Sequence, residues 1–440
     1  MTDSDAPRLR IDTSPLRSAR DFRLLFTAGV VSYLGSMFTL VAVPLQAQQL
    51  TGSFVVVGLL GLVEVVPIIV FGLWGGAIAD HWDRRRVIIA AESGSAICSL
   101  LLLANASLSQ PHVWVLFAVG ALAATCESLQ RPSLDALVPQ TVDHDRLAGA
   151  AALMSLRSSA GFIFGTAIAG IVASSFGVAV AYAVDVASFA VSIALLLGLR
   201  SRGRMSQEGG PSISVVAEGL RYAWSRKDLL GTYAVDTLAM VLAFPYAVFP
   251  FVAEKYGAPW ALGLLYGAPA VGDAIASLTS GWTSRVHHHG RAIVVAASAY
   301  GIAIACFGLS PTLALALTFL AVSGAFDMVS GIFRQLIWNQ SIPDELRGRM
   351  AGIEMLSYAI GPQLGNARVS FVAQARGLGT SIATGGILLR CRRCRACGRV
   401  ALTLELRRSH VGPRRRSATR PSRGCDARRR VNSCRRARGR

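Results

Sequence analysis

Gly75-Gly76-Ala77-Ile78-Ala79-Asp80-His81-Trp82-Asp83-Arg84-Arg85-Arg86 lies between two long apolar runs, 53–79 and 87–107. Each run reaches the ~20 residues that carry a helix across a bilayer. The stretch therefore joins two membrane spans, turning from small and apolar to triply basic within one loop. Outward from it the same alternation continues. Apolar runs cover about 22–49, 113–130, 148–174, 178–199, 230–253, 260–283, 292–309, 312–338 and 350–375. Eleven spans are clear, and a twelfth, at about 378–404, is compromised by arginines.

Composition agrees. The chain has 440 residues, 52% hydrophobic and only 16% charged, with a mean hydropathy of +0.48. Soluble domains carry about 25% charged residues. An ordinary soluble enzyme, a disordered chain and a secreted disulfide scaffold are all excluded. The net charge of +19 does not mark a nucleic-acid binder, because 19 of the 44 basic residues lie in 390–440, against only Glu405 and Asp426. The preceding 389 residues hold 25 Lys and Arg against 23 Asp and Glu. Cys98, Cys126 and Cys306 sit in apolar runs, as packing thiols do; the other five of the eight cysteines are in the tail.

The basic residues also give an orientation. Alternating the loops of 1–389 assigns 21 Lys and Arg to the side of Arg84–Arg86 and only Lys255 and Arg376 to the other, with Arg157 and Arg368 inside spans. By the positive-inside rule the arginine-rich side is cytoplasmic. This predicts a multi-pass protein of the plasma (inner) membrane with a cytoplasmic N-terminus. The organisation expected is a polar segment 1–21, a six-helix half 22–199, a cytoplasmic linker 200–229 containing Gly209-Gly210-Pro211, a second helical half 230–389 and an Arg/Cys-rich tail 390–440. An internal echo supports the halves. Gly76, Asp80 and Arg86 find Gly281, Arg285 and Arg291 at an offset of 205; Arg131 and Arg146-Leu147-Ala148-Gly149 find Arg334 and Arg349-Met350-Ala351-Gly352 at 203. Parallel repeats of this kind build one class of transporter.

The stretch 75–86 resembles the loop signature of the major facilitator superfamily: a glycine, an aspartate four residues on, then a basic cluster. Val41-Ala42-Val43-Pro44-Leu45-Gln46, Leu262-Gly263-Leu264-Leu265-Tyr266 and Pro343-Asp344-Glu345-Leu346-Arg347-Gly348-Arg349 resemble its enterobactin-exporter branch. The resemblance covers about 20–376. It implies an all-α membrane fold of two six-helix halves, and proton-coupled export of a siderophore or other amphipathic small molecule by alternating access. It departs from many drug antiporters in the fifth span, where Gly161-Phe162-Ile163-Phe164-Gly165 lacks their Gly-Pro pair; Gly361-Pro362 appears in the eleventh instead. The alternatives are a multidrug or macrolide efflux pump, and a non-transporting remnant with a defective last helix.

Candidate site residues follow from cost. A charge inside a span is expensive and functional by default. Glu64, Asp185, Asp236, Asp273 and Asp327 are mid-span acids, and Arg157 a mid-span base. A cavity-facing carboxylate can take a proton on one side and release it on the other. Glu64 and Asp236 are the foremost coupling candidates, with Arg157 as counter-charge, then Asp185 and Asp327. Gly76, Asp80, Arg84, Arg85 and Arg86 form a gating latch. There Gly76 permits close helix approach, Asp80 complements a helix N-terminus, by the resemblance that of the eleventh helix, and the arginines face Glu127 or Asp135. Phe38, Phe71, Trp74, Phe244, Tyr246, Phe249 and Tyr266 could line the cavity. His287-His288-His289 reads as a solvated loop rather than a metal site. No phosphate-cradling Gly-Lys-Ser/Thr loop and no nucleophile constellation is present, so neither ATP-driven transport nor enzymatic catalysis is expected. No metal or cofactor is called for beyond the proton gradient. The expected partners are the small-molecule substrate and the bilayer, with the chain a monomer.

Arg390, Arg392, Arg393, Arg395 and Arg399 interrupt the twelfth span. A central arginine costs roughly 2.5–3.5 kcal/mol against the 0.3–0.6 that each Leu or Ile returns. The abrupt switch to Arg and Cys suggests a coding frame altered from about Leu389. As it stands, the tail could contact anionic lipid headgroups, with no specific nucleic acid as partner. Cys391, Cys394 and Cys397 have metal-like spacing but no fourth ligand at a matching one.

Overall fold

Long apolar segments fold as helices because, without water in the bilayer core, each backbone N–H and C=O must find its partner within the segment. The computed structural model describes residues 12–200, 221, 226–342 and 347–390, with backbone alone for 73–81, 227, 228, 230, 339, 347–357 and 390. After the short α1 (Ser14–Ser18), the first half contains α2 (Arg20–Thr51), α3 (Phe54–His81), α4 (Arg84–Ala106), α5 (Val113–Thr141), α6 (Leu147–Ser175) and α7 (Val178–Leu197). The second contains α8 (Lys227–Ala243), α9 (Phe249–Lys255), α10 (Leu262–Leu278), α11 (His289–Leu309), α12 (Leu313–Ser341), α13 (Arg347–Arg376) and α14 (Leu378–Arg390). Most of the linker and all of 391–440 lie outside the described residues.

Among the described residues ten helices are long and apolar enough to cross a membrane. The eleventh expected span, α13, is 30 residues long but falls short in hydropathy. It spends its polar residues, Gln363, Asn366 and Arg368, on neighbouring helices instead of on lipid. The fifth apolar run's predecessor, 113–130, extends as helix to Thr141 through Pro132 and Pro139. The seventh span is not one helix but two, α8 and α9, joined by a 3-10 turn at Tyr246–Val248.

Helix pairing repeats between the halves. In the first, α2 packs on α6 and α7, α3 on α5, and α4 on α5 and α7. In the second, α8 packs on α13 and α14, α10 on α12, and α11 on α12 and α14. Element for element these are the same pairs, which is the structural counterpart of the sequence offsets. The halves meet through α3 with α13 and α6 with α10.

Small residues set these approaches, as in other membrane bundles. A methyl group on Gly170 of α6 would overlap the Gly263 backbone of α10, and one on Gly272 of α10 would overlap the Ala321 carbonyl of α12. Gly386 of α14 lies equally close to Gly301 of α11, so the described start of the compromised last helix is seated on its neighbour. Gly52 ends α2 at φ 61°, its N–H closing on the Gln48 carbonyl at 2.7 Å, a left-handed cap that glycine adopts without strain.

Candidate functional site

The two ends of the bundle are named here by Gly52 and by Arg84. At the Gly52 end the halves are tied by side chains. Gln48 Nε2 of α2 donates to Glu254 Oε2 of α9 at 2.5 Å, and the Phe54 and Phe251 rings stack with centroids 4.0 Å apart. Deeper, Gln363 Nε2 of α13 donates to Glu64 Oε2 of α3 at 2.8 Å. Glycine makes this approach possible: a methyl group on Gly61 would strike Gln363, and one on Gly58 would strike Ser370. Glu64 is thus a mid-helix carboxylate spent on a link between the halves.

Asp236 sits in the second half. It forms a buried ion pair with Arg334 of α12, both side chains 4% accessible. The counter-charge of Asp236 is therefore Arg334, and not Arg157. Arg334 Nη2 also lies 3.8 Å from Asp327 Oδ1, seven residues back on its own helix, and its guanidinium stands 5.5 Å from the Tyr358 ring centroid. Asp327 keeps 37% of its side-chain surface accessible. One turn beyond Arg334, Trp338 Nε1 donates to Thr232 Oγ1 of α8 at 2.9 Å, which ties the same two helices again.

Arg157 belongs to the first half. Its guanidinium occupies the space left by Gly29 of α2, 5.7 Å from the Tyr33 ring centroid. Asp185 is enclosed within that half, 1% accessible, and accepts from Thr39 Oγ1 at 2.5 Å and Ser99 Oγ at 2.7 Å. Those hydroxyls come from α2 and α4, so Asp185 fastens three helices of one half together. Mid-span position alone could not distinguish this enclosed acid from the inter-half Glu64 or the accessible Asp327.

The latch arginines act on helix ends. Asp83 caps α4, its side chain accepting from the Arg85 and Arg86 backbone N–H groups. Arg84 Nη1 donates to the Ala136 carbonyl of α5 at 3.0 Å. Arg85 donates to the last carbonyls of α7, Leu197 at 2.7 Å and Leu196 at 3.4 Å. These carbonyls lie at the negative end of the helix dipole, and the Leu196 carbonyl also accepts from Leu199 N–H at 3.1 Å. They take the place expected for Glu127 or Asp135 as acceptors of Arg85. Gly76, Asp80 and Trp74 are helical, and their side chains lie outside the description.

The aromatic candidates gather where α8 breaks. Pro245 has no N–H to continue the ladder. Tyr300 of α11 donates to the Ala243 carbonyl at 3.1 Å, Tyr266 of α10 to the Tyr246 carbonyl at 3.2 Å, and Ala247 N–H to Asn366 Oδ1 of α13 at 2.9 Å. Three helices thus satisfy backbone groups around the break. Tyr246 stacks on Phe244 and meets Phe249 and Tyr266, and the last two are buried. Phe38 is also buried in the core, and Phe71 is half-buried. Discontinuous helices near mid-membrane are where transporters build substrate and ion sites. Sequence reading missed Arg334, taken only as an arginine of the basic side, and Gln363 and Asn366, which carry no charge to draw notice. The offset that pairs Arg334 with Arg131 was the one available signal.

The family model of the Major Facilitator Superfamily matches residues 25–366. The enterobactin exporter EntS of Shigella boydii serotype 4 (strain Sb227) is 26% identical over 387 residues, 86% of this chain and 93% of that protein. Among solved structures, a point mutant of the nucleoside transporter NupG superposes with a TM-score of 0.68 at 14% identity, covering 87% of this chain and 98% of its own. A bacterial homologue of the iron transporter ferroportin in its inward-facing state gives 0.63 at 14% identity, with the same coverage. These structures share the fold. The chain belongs to the Major Facilitator Superfamily and is a multi-pass membrane transporter, not an enzyme.

Proposed function

We propose that this transporter exports a siderophore or another amphipathic small molecule in exchange for protons, by alternating access across the inner membrane. The observation that carries the reading is the Gln363–Glu64 hydrogen bond. A carboxylate placed between the halves must lose its partner whenever the Gly52 end opens, and taking a proton changes what it can accept. Opening and protonation are then linked at one group. The 26% identity to an enterobactin exporter over most of both chains supports the substrate class and the outward direction. The arginine excess on the Arg84 side supports a cytoplasmic N-terminus. The transporter works as a monomer without cofactor; the basic tail, outside the described residues, has the charge to attract anionic headgroups.

The test is complementation of an exporter-deficient strain with the full chain, following secretion of catecholate siderophores and retention of common antibiotics. Restored siderophore secretion that collapses with a protonophore is expected. Restored antibiotic efflux with no siderophore secretion would replace the reading with a multidrug pump. Failure of both, regained when the last helix is rebuilt as an apolar segment, would mark the chain as a remnant.

A further inference from the structure

We infer that Cys98 and Cys126 form a redox-sensitive dithiol, which a peroxide closes into a disulfide that fastens α4 to α5. Neither residue takes part in the transport steps described above.

Among the described residues the cysteines are Cys98, Cys126 and Cys306, all free thiols. Two of them meet. Cys98 lies on α4 and Cys126 near the middle of α5, and their thiols form a hydrogen-bonded pair, with Cys98 S–H facing Cys126 Sγ. Gly94 permits the approach. It sits four residues before Cys98, on the same face of α4, and a methyl group placed there would come within 2.6 Å of Cys126 Sγ. Packing accounts for a single buried thiol. It does not call for a second thiol opposite the first.

The two sulfurs differ in access. Cys98 is 2% accessible, whereas Cys126 is half-buried and its neighbour Glu127 is exposed. Hydrogen peroxide is small and uncharged, so it reaches such a sulfur without the cost that a charged oxidant meets inside a membrane. The Cys126 sulfur attacks one peroxide oxygen and the O–O bond breaks. The thiol proton leaves with the departing hydroxide as water, and a sulfenic acid remains. The Cys98 sulfur then attacks the sulfenic sulfur. An S–S bond forms, the S–O bond breaks, and the Cys98 proton joins the released hydroxide as a second water. The two thiols lose two electrons and the peroxide gains them.

The new bond would stand beside the Asp185 centre. Ser99, next to Cys98, already donates to Asp185, which joins α2, α4 and α7. The disulfide adds α5 to that group. The same helix backs Glu64, because a methyl group on Gly120 would rest against its carboxylate.

The experiment treats the full chain in lipid nanodiscs with hydrogen peroxide. The protein is then denatured in detergent, its remaining thiols are capped with a maleimide, and the cysteine peptides are mapped by mass spectrometry. The expected product joins the Cys98 and Cys126 peptides, is lighter than their sum by two hydrogen atoms, and is split by dithiothreitol. Cys306 should be recovered as a capped thiol. Dimedone, which traps sulfenic acid, should label Cys126 in the Cys98→Ser variant and leave it unlabelled in the parent, where Cys98 consumes the sulfenic acid. Recovery of Cys98 and Cys126 as capped thiols overturns the inference, and so does pairing of either with another cysteine of the chain. Should the serine variant fail to fold, the linked peptide in the parent decides alone.

Discussion

Arg334 and Asp236 make the clearest single-residue prediction. Removing one partner of a buried ion pair strands the other charge, which costs about 3–5 kcal/mol. Arg334→Ala should therefore lower the thermal midpoint of the purified protein sharply. The Arg334→Ala/Asp236→Ala double variant should recover part of the loss, because Asp236 is no longer stranded and only Asp327 has lost a nearby cation. Equal losses in both proteins would show that the pair itself contributes little. Glu64 makes a functional prediction instead. Glu64→Gln keeps a hydrogen-bonding side chain opposite Gln363 and cannot titrate. It should let substrate run down its own gradient while abolishing uphill export driven by protons, as measured in vesicles with an imposed pH gradient. These two residues also show what sequence resolves at this scale. Charge inside an apolar run singled out Glu64, Asp236, Asp327 and Asp185. It could not sort them, because their environments come from residues far away in the chain: Gln363 for Glu64, Arg334 for Asp236, and the Thr39 and Ser99 hydroxyls for Asp185.

At the level of helices, apolar run length and the basic loops located most membrane segments, since both follow directly from the cost of placing charge and unpaired backbone in lipid. Hydropathy was less informative where helices face each other. The polar content of α13 is explained only by the partners it meets, and the division of α8 from α9 depends on Tyr266, Tyr300 and Asn366 arriving from three other helices. Asn366 offers a direct measure. Asn366→Leu would leave the Ala247 N–H buried without an acceptor, at a cost of about 1–3 kcal/mol. A lower unfolding temperature is expected, with faster hydrogen exchange confined to the junction. Wild-type stability would mean that another acceptor, such as a water, takes over.

For the molecule as a whole, the repeat and the family signature made the two-half architecture legible, and the matching helix pairs in the two halves realise it. The closed state was not legible, because its contacts join residues some two to three hundred positions apart. It can be locked. Gln48→Cys/Glu254→Cys places two thiols on facing segments within reach of a short, reductant-cleavable thiol cross-linker, which should hold the Gly52 end shut. Transport should fall and return with reductant, while each single variant, carrying the same eight native cysteines, stays unaffected. Undiminished transport in the cross-linked protein would mean that this end need not open.

The junction at 244–248 also separates the two halves mechanically. The first helix of the first half, α2, runs unbroken for 32 residues even though Pro44 lies within it. Its counterpart is a 17-residue rod and a 7-residue rod that share a joint. At 1.5 Å per residue these are arms of roughly 25 and 10 Å. The long arm bears Asp236 and the short one bears Glu254. Two equal halves would rock as mirror partners, each contributing the same stroke. A stiff beam facing a jointed lever makes the halves mechanically unequal: the second carries a joint beside the Gly52 end that the first lacks.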